Sequence, residues 1–108
     1  MPPLEAELVK YYCNTTIAVK VTLANEFYNI CRAFGANYDQ VREGFLMDPR
    51  MSRYFTFVYP KARGFSGKCI PKDINAIAKS AENAGYDPEF VKAVIANNER
   101  IKKMTVKE

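Results

Sequence analysis

The chain has 108 residues, of which 48% are hydrophobic and 26% are charged, and its formal net charge is +4. This length fits one domain, and the balance of apolar and charged residues excludes a disordered or low-complexity chain. No apolar run approaches the roughly 18 residues that a membrane helix needs, and the first residues, MPPLEAELVK, lack the pattern of a signal peptide. We therefore expect a folded, cytoplasmic domain with no membrane partner.

The cysteines and lysines argue against two classes of site. Cys13, Cys31 and Cys69 are widely spaced, and the chain has no histidine, so neither a disulfide framework nor a metal site is expected. The positive charge permits an anionic partner, but the lysines are scattered apart from a cluster within residues 102–107. A solvated helix end explains that cluster, and no nucleic-acid partner is expected because no recognition motif is present.

The first predicted element is a long helix from Leu4 to Phe34, because this stretch contains no proline or glycine. Glu5 and Glu7 suit the positive end of its dipole, and Gly35 supplies the C-terminal stop, since glycine enters the left-handed conformation without steric cost. Apolar residues cover more than one stripe of this helix. Its second half should therefore be buried on several sides.

The length of this helix predicts a homodimer. At about 1.5 Å per residue the helix is about 46 Å long, whereas a compact chain of this size is roughly 33 Å across. Such a helix must protrude or pack against a second copy. We expect the dimer to be built around it.

A short second helix is predicted after Asn37, because Asn37 and Gln40 have the spacing of a capping box. This helix should run to about Phe45 and end before Pro49. Residues 48–70 then form an irregular, aromatic-rich stretch. A loop of this length inside a compact domain is uncommon unless it has a function.

Proline and glycine predict two further helices. Pro71 suits the first turn of a helix that runs to about Ala84 and is stopped by Gly85. For the last helix, Asp87 is the expected N-cap and Pro88 the first residue. Its predicted inner face comprises Phe90, Val94, Ile101 and Met104. The predicted fold class is all-α, with a long central helix, shorter helices and one ordered loop.

Cys69 lies in the stretch GFSGKCIPKD, outside any periodic apolar run. If a helix begins at Pro71, the sulfur just ahead of it is near unpaired backbone N–H groups and the positive end of the dipole, which favour the thiolate. Lys68 and Lys72 add positive charge, and the glycines allow a ligand to approach the backbone. These features suit a nucleophilic cysteine. The alternative is a half-buried thiol in a turn.

The same stretch resembles the active-site segment of nucleotide-sugar 6-dehydrogenases of the UDP-glucose/GDP-mannose dehydrogenase family, whose usual form is Gly-Phe-Gly-Gly-x-Cys-x-Pro-Lys-Asp. The chain departs from this form at Ser66, where the family usually has glycine. The stretch EAELVKYYCNTTIAVKVTLANE is similar to the family's central helix, with Lys10 and Asn14 as its Lys-x-x-x-Asn pair, and MDPR is similar to its Asp-x-Arg segment. The resemblance covers essentially the whole chain.

The resemblance implies an NAD-dependent oxidation of a hexose C6 alcohol, through an aldehyde, to a carboxylate on a nucleotide sugar. Cys69 would add to the aldehyde, with Lys10 and Asn14 opposite it, while Asp73 would orient or deprotonate water and Lys72 would contact the cofactor. Residues four apart share a helical face, so the Lys10 ammonium and the Asn14 amide can converge on one oxygen. Solvated side chains are the alternative for these residues.

The resemblance also implies residues that bind the substrate. Arg50 would reach the sugar nucleotide of a neighbouring subunit, although a salt bridge to Asp48 or Glu43 is the alternative. Phe55 and Gly64 would line the nucleotide or sugar pocket. The Pro-Lys-Asp ending resembles enzymes that act on UDP-glucose or GDP-mannose more than those that act on UDP-N-acetylhexosamines, and UDP-glucose is favoured.

The resemblance further implies two domains that the 108 residues do not include. Family members carry a Gly-x-Gly-x-x-Gly domain that binds NAD before this segment and a nucleotide-binding α/β domain after it. Residues 1–108 are therefore expected to be the central domain, inactive alone, which dimerises and presents Cys69. The alternative is a helical interaction module without catalysis.

Overall fold

Four helices and one long loop make up the protein. The computed structural model describes residues 1–107. Helix α1 spans Pro3–Phe34, α2 spans Tyr38–Phe45, α3 spans Cys69–Asn83 and α4 spans Glu89–Lys102. Residues 1–107 contain no strand, which confirms the all-α prediction, and none of the helices in this range is long and apolar enough to cross a membrane.

Helix α1 determines the longest dimension of the molecule. It begins at Pro3, and the lack of an N–H on proline costs nothing there because first-turn N–H groups have no intrahelical acceptor. As predicted, Gly35 ends the helix as its C-cap, in the left-handed conformation (φ 71°). The principal dimensions are 46, 34 and 22 Å. Residues 1–10 are all exposed, so the N-terminal third of α1 extends beyond the other helices.

Helix α2 is capped as the sequence predicts. The Asn37 side chain accepts a hydrogen bond from the backbone N–H of Gln40 at 3.1 Å. Two side chains of α2 then hold the long loop (residues 46–68): the Tyr38 hydroxyl donates to the carbonyl of Thr56 at 2.7 Å, and Arg42 Nε donates to the Thr56 hydroxyl at 2.8 Å. Partial burial in this contact raises the pKa of Tyr38.

The core lies where α1, α3 and α4 meet. Ala18 of α1, Ile74 of α3 and Val94 of α4 pack together with Phe65 of the long loop. Ala18 and Ile74 are fully buried, and the small Ala18 side chain allows the two helices to approach closely. Because Phe65 belongs to this cluster, the loop is part of the core rather than a surface connection.

The two later helices begin at positions that differ from the prediction. Helix α3 begins at Cys69, two residues before Pro71. Proline is tolerated at this third position because N–H groups in the first turn have no intrahelical acceptor, so the missing N–H of Pro71 breaks no hydrogen bond. Helix α4 begins at Glu89, after Pro88. Asp87 is not its N-cap, since the Asp87 carboxylate pairs with Lys92 at 2.7 Å.

Two predictions about buried faces were wrong for the single chain. The second half of α1 is not buried on several sides, because Leu23, Phe27 and Phe34 are exposed. On α4, Phe90 is 66% exposed. The inner face of α4 comprises Val91, Val94, Asn98 and Ile101.

Truncating Ile74 should weaken the core in proportion to the volume removed. We expect Ile74→Val to lower the free energy of unfolding by about 0.5 to 1.5 kcal/mol and Ile74→Ala by about 2 to 5 kcal/mol, because the surrounding helices cannot close the cavity fully. Met47→Ala, at a side chain that is 83% exposed, is the control and should stay within about 0.5 kcal/mol. Urea unfolding followed by circular dichroism measures all three, and equal losses would contradict this assignment of the core.

Candidate functional site

Asn14 of α1 and Asp73 of α3 meet where the two helices cross. Asn14 Nδ2 donates a hydrogen bond to Asp73 Oδ2 at 2.5 Å. Asp73 is only 3% exposed, and a buried carboxylate is tolerated only with such partners. The bond therefore fixes the two helices relative to each other at this level.

Lys10 reaches the same carboxylate oxygen from one turn earlier on α1. Its Nζ lies 4.0 Å from Asp73 Oδ2, and its side chain remains largely exposed. The ammonium and the Asn14 amide thus converge on one oxygen, as their spacing of four residues predicts. In the structure that oxygen belongs to Asp73.

Cys69 is the first residue of α3, and its thiol is exposed. It precedes Asp73 by four residues, so the two side chains occupy one face of α3 with Cβ atoms about 5 to 6 Å apart. In the first turn of α3, the N–H groups of Cys69 and Ile70 have no intrahelical acceptor. We call Lys10, Asn14, Cys69 and Asp73 the α1–α3 cluster. It combines a thiol that can act as a nucleophile, two donors that can hold an oxyanion, and a carboxylate that can accept a proton.

Arg63 anchors the long loop to α1. It is buried, its Nε donates to Asn25 Oδ1 at 2.6 Å, and its Nη2 donates to the Asn25 carbonyl at 3.2 Å and to Asn29 Oδ1 at 2.9 Å. The guanidinium carbon also lies 4.6 Å from the centre of the Tyr28 ring. Burial lowers the pKa of Arg63, but the surrounding oxygens and the ring face compensate the charge.

Asn98 anchors the next part of the loop to α4. The Phe65 backbone N–H donates to Asn98 Oδ1 at 2.8 Å, and Asn98 Nδ2 donates to the Phe65 carbonyl at 2.9 Å. Gly64 must be glycine here, because it has φ +76° and a Cβ at this position would collide with Asn98 Oδ1 and lie 3.2 Å from Lys102 Cγ. The loop is thus held from two helices over three consecutive residues.

Phe55 and Gly64 line the same cavity. The cavity has a volume of about 180 Å³. Its lining residues are Val21, Asn25, Phe55, Phe57, Tyr59, Ala62 and Gly64. Phe55 has a left-handed backbone (φ 64°), a strained conformation for a residue with a large side chain, and such strain is often found at binding sites.

The remaining two predicted site residues lie apart from these contacts. Arg50 is exposed and makes a two-pronged ion pair with Asp48, with Nη2 and Oδ2 at 2.7 Å. This hydrogen bonding holds the pKa of Asp48 below its usual value and raises that of Arg50. Lys72 is exposed in the first turn of α3.

Sequence reasoning missed Arg63 and Asn98 as residues that shape the site. Arg63 adjoins the glycine-rich stretch, but its partner Asn25 lies 38 positions away, and no local pattern indicates that contact. Asn98 carried a usable signal, because it occupies an inward position of α4 between Val94 and Ile101. A polar residue on an apolar face must bind another polar group.

A family model described as "UDP-glucose/GDP-mannose dehydrogenase family, central domain" matches residues 4–100. The chain therefore belongs to this family. It is 37% identical over 100 residues to a UDP-glucose 6-dehydrogenase of Pseudomonas aeruginosa, covering 93% of this chain and 21% of that protein. It is 38% identical over 95 residues to the UDP-glucose 6-dehydrogenase TuaD of Bacillus subtilis, covering 88% of this chain and 20% of the relative.

The fold is also similar to that of a solved structure. A UDP-glucose dehydrogenase from the hyperthermophilic archaeon Pyrobaculum islandicum superposes with a TM-score of 0.83 at 36% sequence identity. The match covers 93% of this chain and 22% of that one. The chain thus spans about a fifth of the length of the relatives that it matches.

Removing the Asn14 amide should destabilise the fold through Asp73. We expect Asn14→Ala to cost about 1 to 3 kcal/mol, because it leaves a buried carboxylate without its hydrogen-bond donor. Asn75→Ala is a matched control, since that exposed amide bonds only to the carbonyl of Pro71 in its own helix. A double-mutant cycle with Asp73→Ala, measured by urea unfolding, should give a coupling of about 0.5 to 3 kcal/mol, and additive losses would show that the two side chains act independently.

Proposed function

We propose that this chain is the central segment of an NAD-dependent UDP-glucose 6-dehydrogenase, in which it supplies the cysteine nucleophile and the dimer contact. The observation that carries the proposal is the meeting of Lys10 and Asn14 with Asp73, one turn from Cys69. A nucleophile, an oxyanion site and a proton acceptor are the groups that oxidation of an aldehyde to a carboxylate requires. The relatives named UDP-glucose 6-dehydrogenase support the choice of substrate.

The first half of the proposed mechanism builds a bond to Cys69. The thiolate adds to the C6 aldehyde carbon, a C–S bond forms, and the carbonyl electron pair moves onto oxygen. The Lys10 ammonium and the Asn14 amide donate to that oxygen and stabilise its charge. When the oxyanion collapses, the carbon would release hydride, for which bound NAD would be the acceptor, and a thioester would remain on Cys69.

The second half releases the carboxylate. Asp73 accepts a proton from water, and the oxygen of this water attacks the thioester carbon. The C–S bond then breaks, so that the Cys69 thiolate is restored and the product leaves as UDP-glucuronate. Both steps develop charge on the same oxygen, and one pair of donors serves them both.

NAD supplies the hydride acceptor in both oxidations. Lys72, exposed in the first turn of α3, fits a contact with the cofactor beside the cluster. Residues 1–108 contain no Gly-x-Gly-x-x-Gly loop to cradle its phosphates. We therefore place the rest of the cofactor site in a separate domain of a longer chain, as the relatives' greater length permits.

The other proposed contacts concern the nucleotide sugar. Phe55 and Gly64 would line its pocket, since both border the cavity next to the loop. Arg50 would bind the sugar nucleotide in a neighbouring subunit, because its forked guanidinium suits phosphate or paired hydroxyl oxygens.

The homodimer would form on the apolar side of α1. A groove of about 180 Å³ runs between α1 and α2, and its apolar walls comprise Leu23, Ala24, Phe27, Val41 and Phe45. Phe27 is 47% exposed in the single chain. A second copy packed against this groove would remove these side chains from water, which is the main source of stability in such contacts.

Replacing the nucleophile tests the catalytic proposal. In the complete dehydrogenase that carries these residues, we expect Cys69→Ser to lower the oxidation of UDP-glucose to UDP-glucuronate by at least about a hundredfold, with accumulation of aldehyde or of a covalent adduct. The measurement is NADH release together with mass spectrometry of the sugar products. Cys13→Ser, at another exposed thiol, is the matched control and should retain the parental rate.

A panel of nucleotide sugars separates the substrate classes. Preference for UDP-glucose supports the proposal, whereas preference for GDP-mannose or a UDP-N-acetylhexosamine would assign the chain to another enzyme of the same family. Full activity of Cys69→Ser would refute the role of Cys69 and favour the non-catalytic helical module.

Introducing a charge into the groove tests the dimer. We expect Phe27→Glu to weaken self-association at least about tenfold, because a carboxylate would be desolvated at the contact. Sedimentation velocity of this chain over a range of concentrations measures the effect. Tyr86→Glu, at an exposed aromatic residue in the α3–α4 turn, should leave association unchanged. A parental chain that stays monomeric would refute the groove as the dimer contact.

A further inference from the structure

We propose that Asn98 is a positioning residue for the oxidation of the aldehyde, because it fixes the backbone that leads into Cys69; this inference rests on the proposed function. Asn98 lies on α4, outside the α1–α3 cluster. Its amide satisfies both backbone groups of Phe65, accepting from the N–H at 2.8 Å and donating to the carbonyl at 2.9 Å. One side chain thus pairs both the N–H and the carbonyl of Phe65, as a neighbouring strand does for a residue in a sheet.

The connection from Phe65 to Cys69 is short and has little other support. Residues 66–68 are all exposed, so no burial holds them. Four residues span at most about 14 Å, and a shift at Phe65 is therefore passed to the first turn of α3. The position of the thiol depends on two attachments: the packing of α3 against α1, and the anchor at Phe65.

Asn98 is the stiffer part of that anchor. It is buried, and the helix positions on either side of it, Val94 and Ile101, are packed in the interior. The amide therefore has little freedom to follow the loop. Gly64 completes the fit, since its missing Cβ lets the loop backbone approach Asn98 directly. Arg63, the residue before Gly64, binds Asn25 on α1, and α1 is also the helix that carries Lys10 and Asn14.

Arg63 thus attaches the loop to α1, the helix that carries the two oxyanion donors, and Asn98 attaches it to α4. Loss of the Asn98 amide would leave the buried N–H and carbonyl of Phe65 without partners, and the loop would shift to find others. Lys10, Asn14 and Asp73 would keep their own contacts. The expected defect is therefore a misplaced thiol beside an otherwise intact cluster.

The test compares the two oxidation steps in the complete dehydrogenase that carries these residues. We expect Asn98→Ala to slow oxidation of supplied UDP-glucose C6 aldehyde about tenfold to a hundredfold while changing oxidation of the alcohol much less, because a small misplacement of a reacting group has effects of this size. Aldehyde trapped with a hydrazine reports the imbalance. Asn97→Ala is the matched control, since that amide donates to the carbonyl of Ala93 in its own helix.

A second variant keeps the test decisive if Asn98→Ala does not fold. Asn98→Asp has nearly the same shape, but its carboxylate repels the Phe65 carbonyl unless a proton restores the donor. Its ratio of aldehyde to alcohol oxidation, relative to the parental enzyme, should recover as the pH falls, because hydrogen bonding to the neutral form raises the pKa of the carboxyl group. A residue with a merely structural role would lower both steps equally and leave this ratio unchanged.

The outcomes separate this inference from the proposed function. If Cys69→Ser accumulates aldehyde or adduct and the Asn98 variants show the shifted ratio, both proposals are supported. If Cys69→Ser is impaired but the Asn98 variants keep the parental ratio at every pH, the positioning role is refuted alone. Parental activity of Cys69→Ser would refute the proposed function itself.

Discussion

The buried carboxylate of Asp73 is the constraint on which the arrangement of the site depends. It lies at the crossing of α1 and α3 and depends on its bond to Asn14, since a carboxylate that is 3% exposed is solvated by little water. Ala18 lies one turn beyond Asn14, and Ile74 follows Asp73 directly, so the polar contact and the fully buried apolar contact are adjacent levels of one helix crossing. The packing that stabilises the fold therefore also sets the distances within the α1–α3 cluster.

The long loop is held by polar groups because its backbone cannot form helix or sheet hydrogen bonds. Asn98 of α4 satisfies the backbone N–H and carbonyl of Phe65, and the Arg63 side chain binds Asn25 of α1. Polar groups of this kind favour one arrangement, since a shifted loop would leave several of them unpaired at once. An apolar anchor alone, such as the Phe65 ring, would tolerate sliding much better.

Local sequence signals were sufficient to predict most of the helix ends, but they did not predict the contacts between helices. The stop at Gly35 and the cap at Asn37 depend on the conformation of one or two residues, and both were predicted correctly. The choice of Phe90 over Val91 for the inner face of α4 was wrong because adjacent positions differ by about a third of a turn, and only the packing against α1 and α3 decides between them.

For the candidate site, the spacing of residues along the chain predicted which side chains share a face of one helix, but it did not predict contacts between helices. The pair Lys10 and Asn14 and the pair Cys69 and Asp73 could each be placed on one face from a separation of four residues. That the two pairs meet at Asp73 follows from the helix crossing, which joins positions 59 apart in the chain. The bonds from Arg63 to Asn25 and from Asn98 to Phe65 span 38 and 33 positions and required the tertiary structure in the same way.

Arg50 is the residue for which we propose a contact across the dimer. Its pairing with Asp48 is a contact between two neighbouring, solvent-exposed groups, and water competes for both of them, so little stability depends on it. The pairing keeps the two donor N–H groups of the guanidinium oriented. The carboxylate can nevertheless be replaced by another anion at a small cost in free energy. Phosphate oxygens offer the same two-pronged geometry with more negative charge. If a second copy packs against the groove between α1 and α2, a sugar nucleotide in the neighbouring subunit would therefore compete favourably with Asp48 for Arg50.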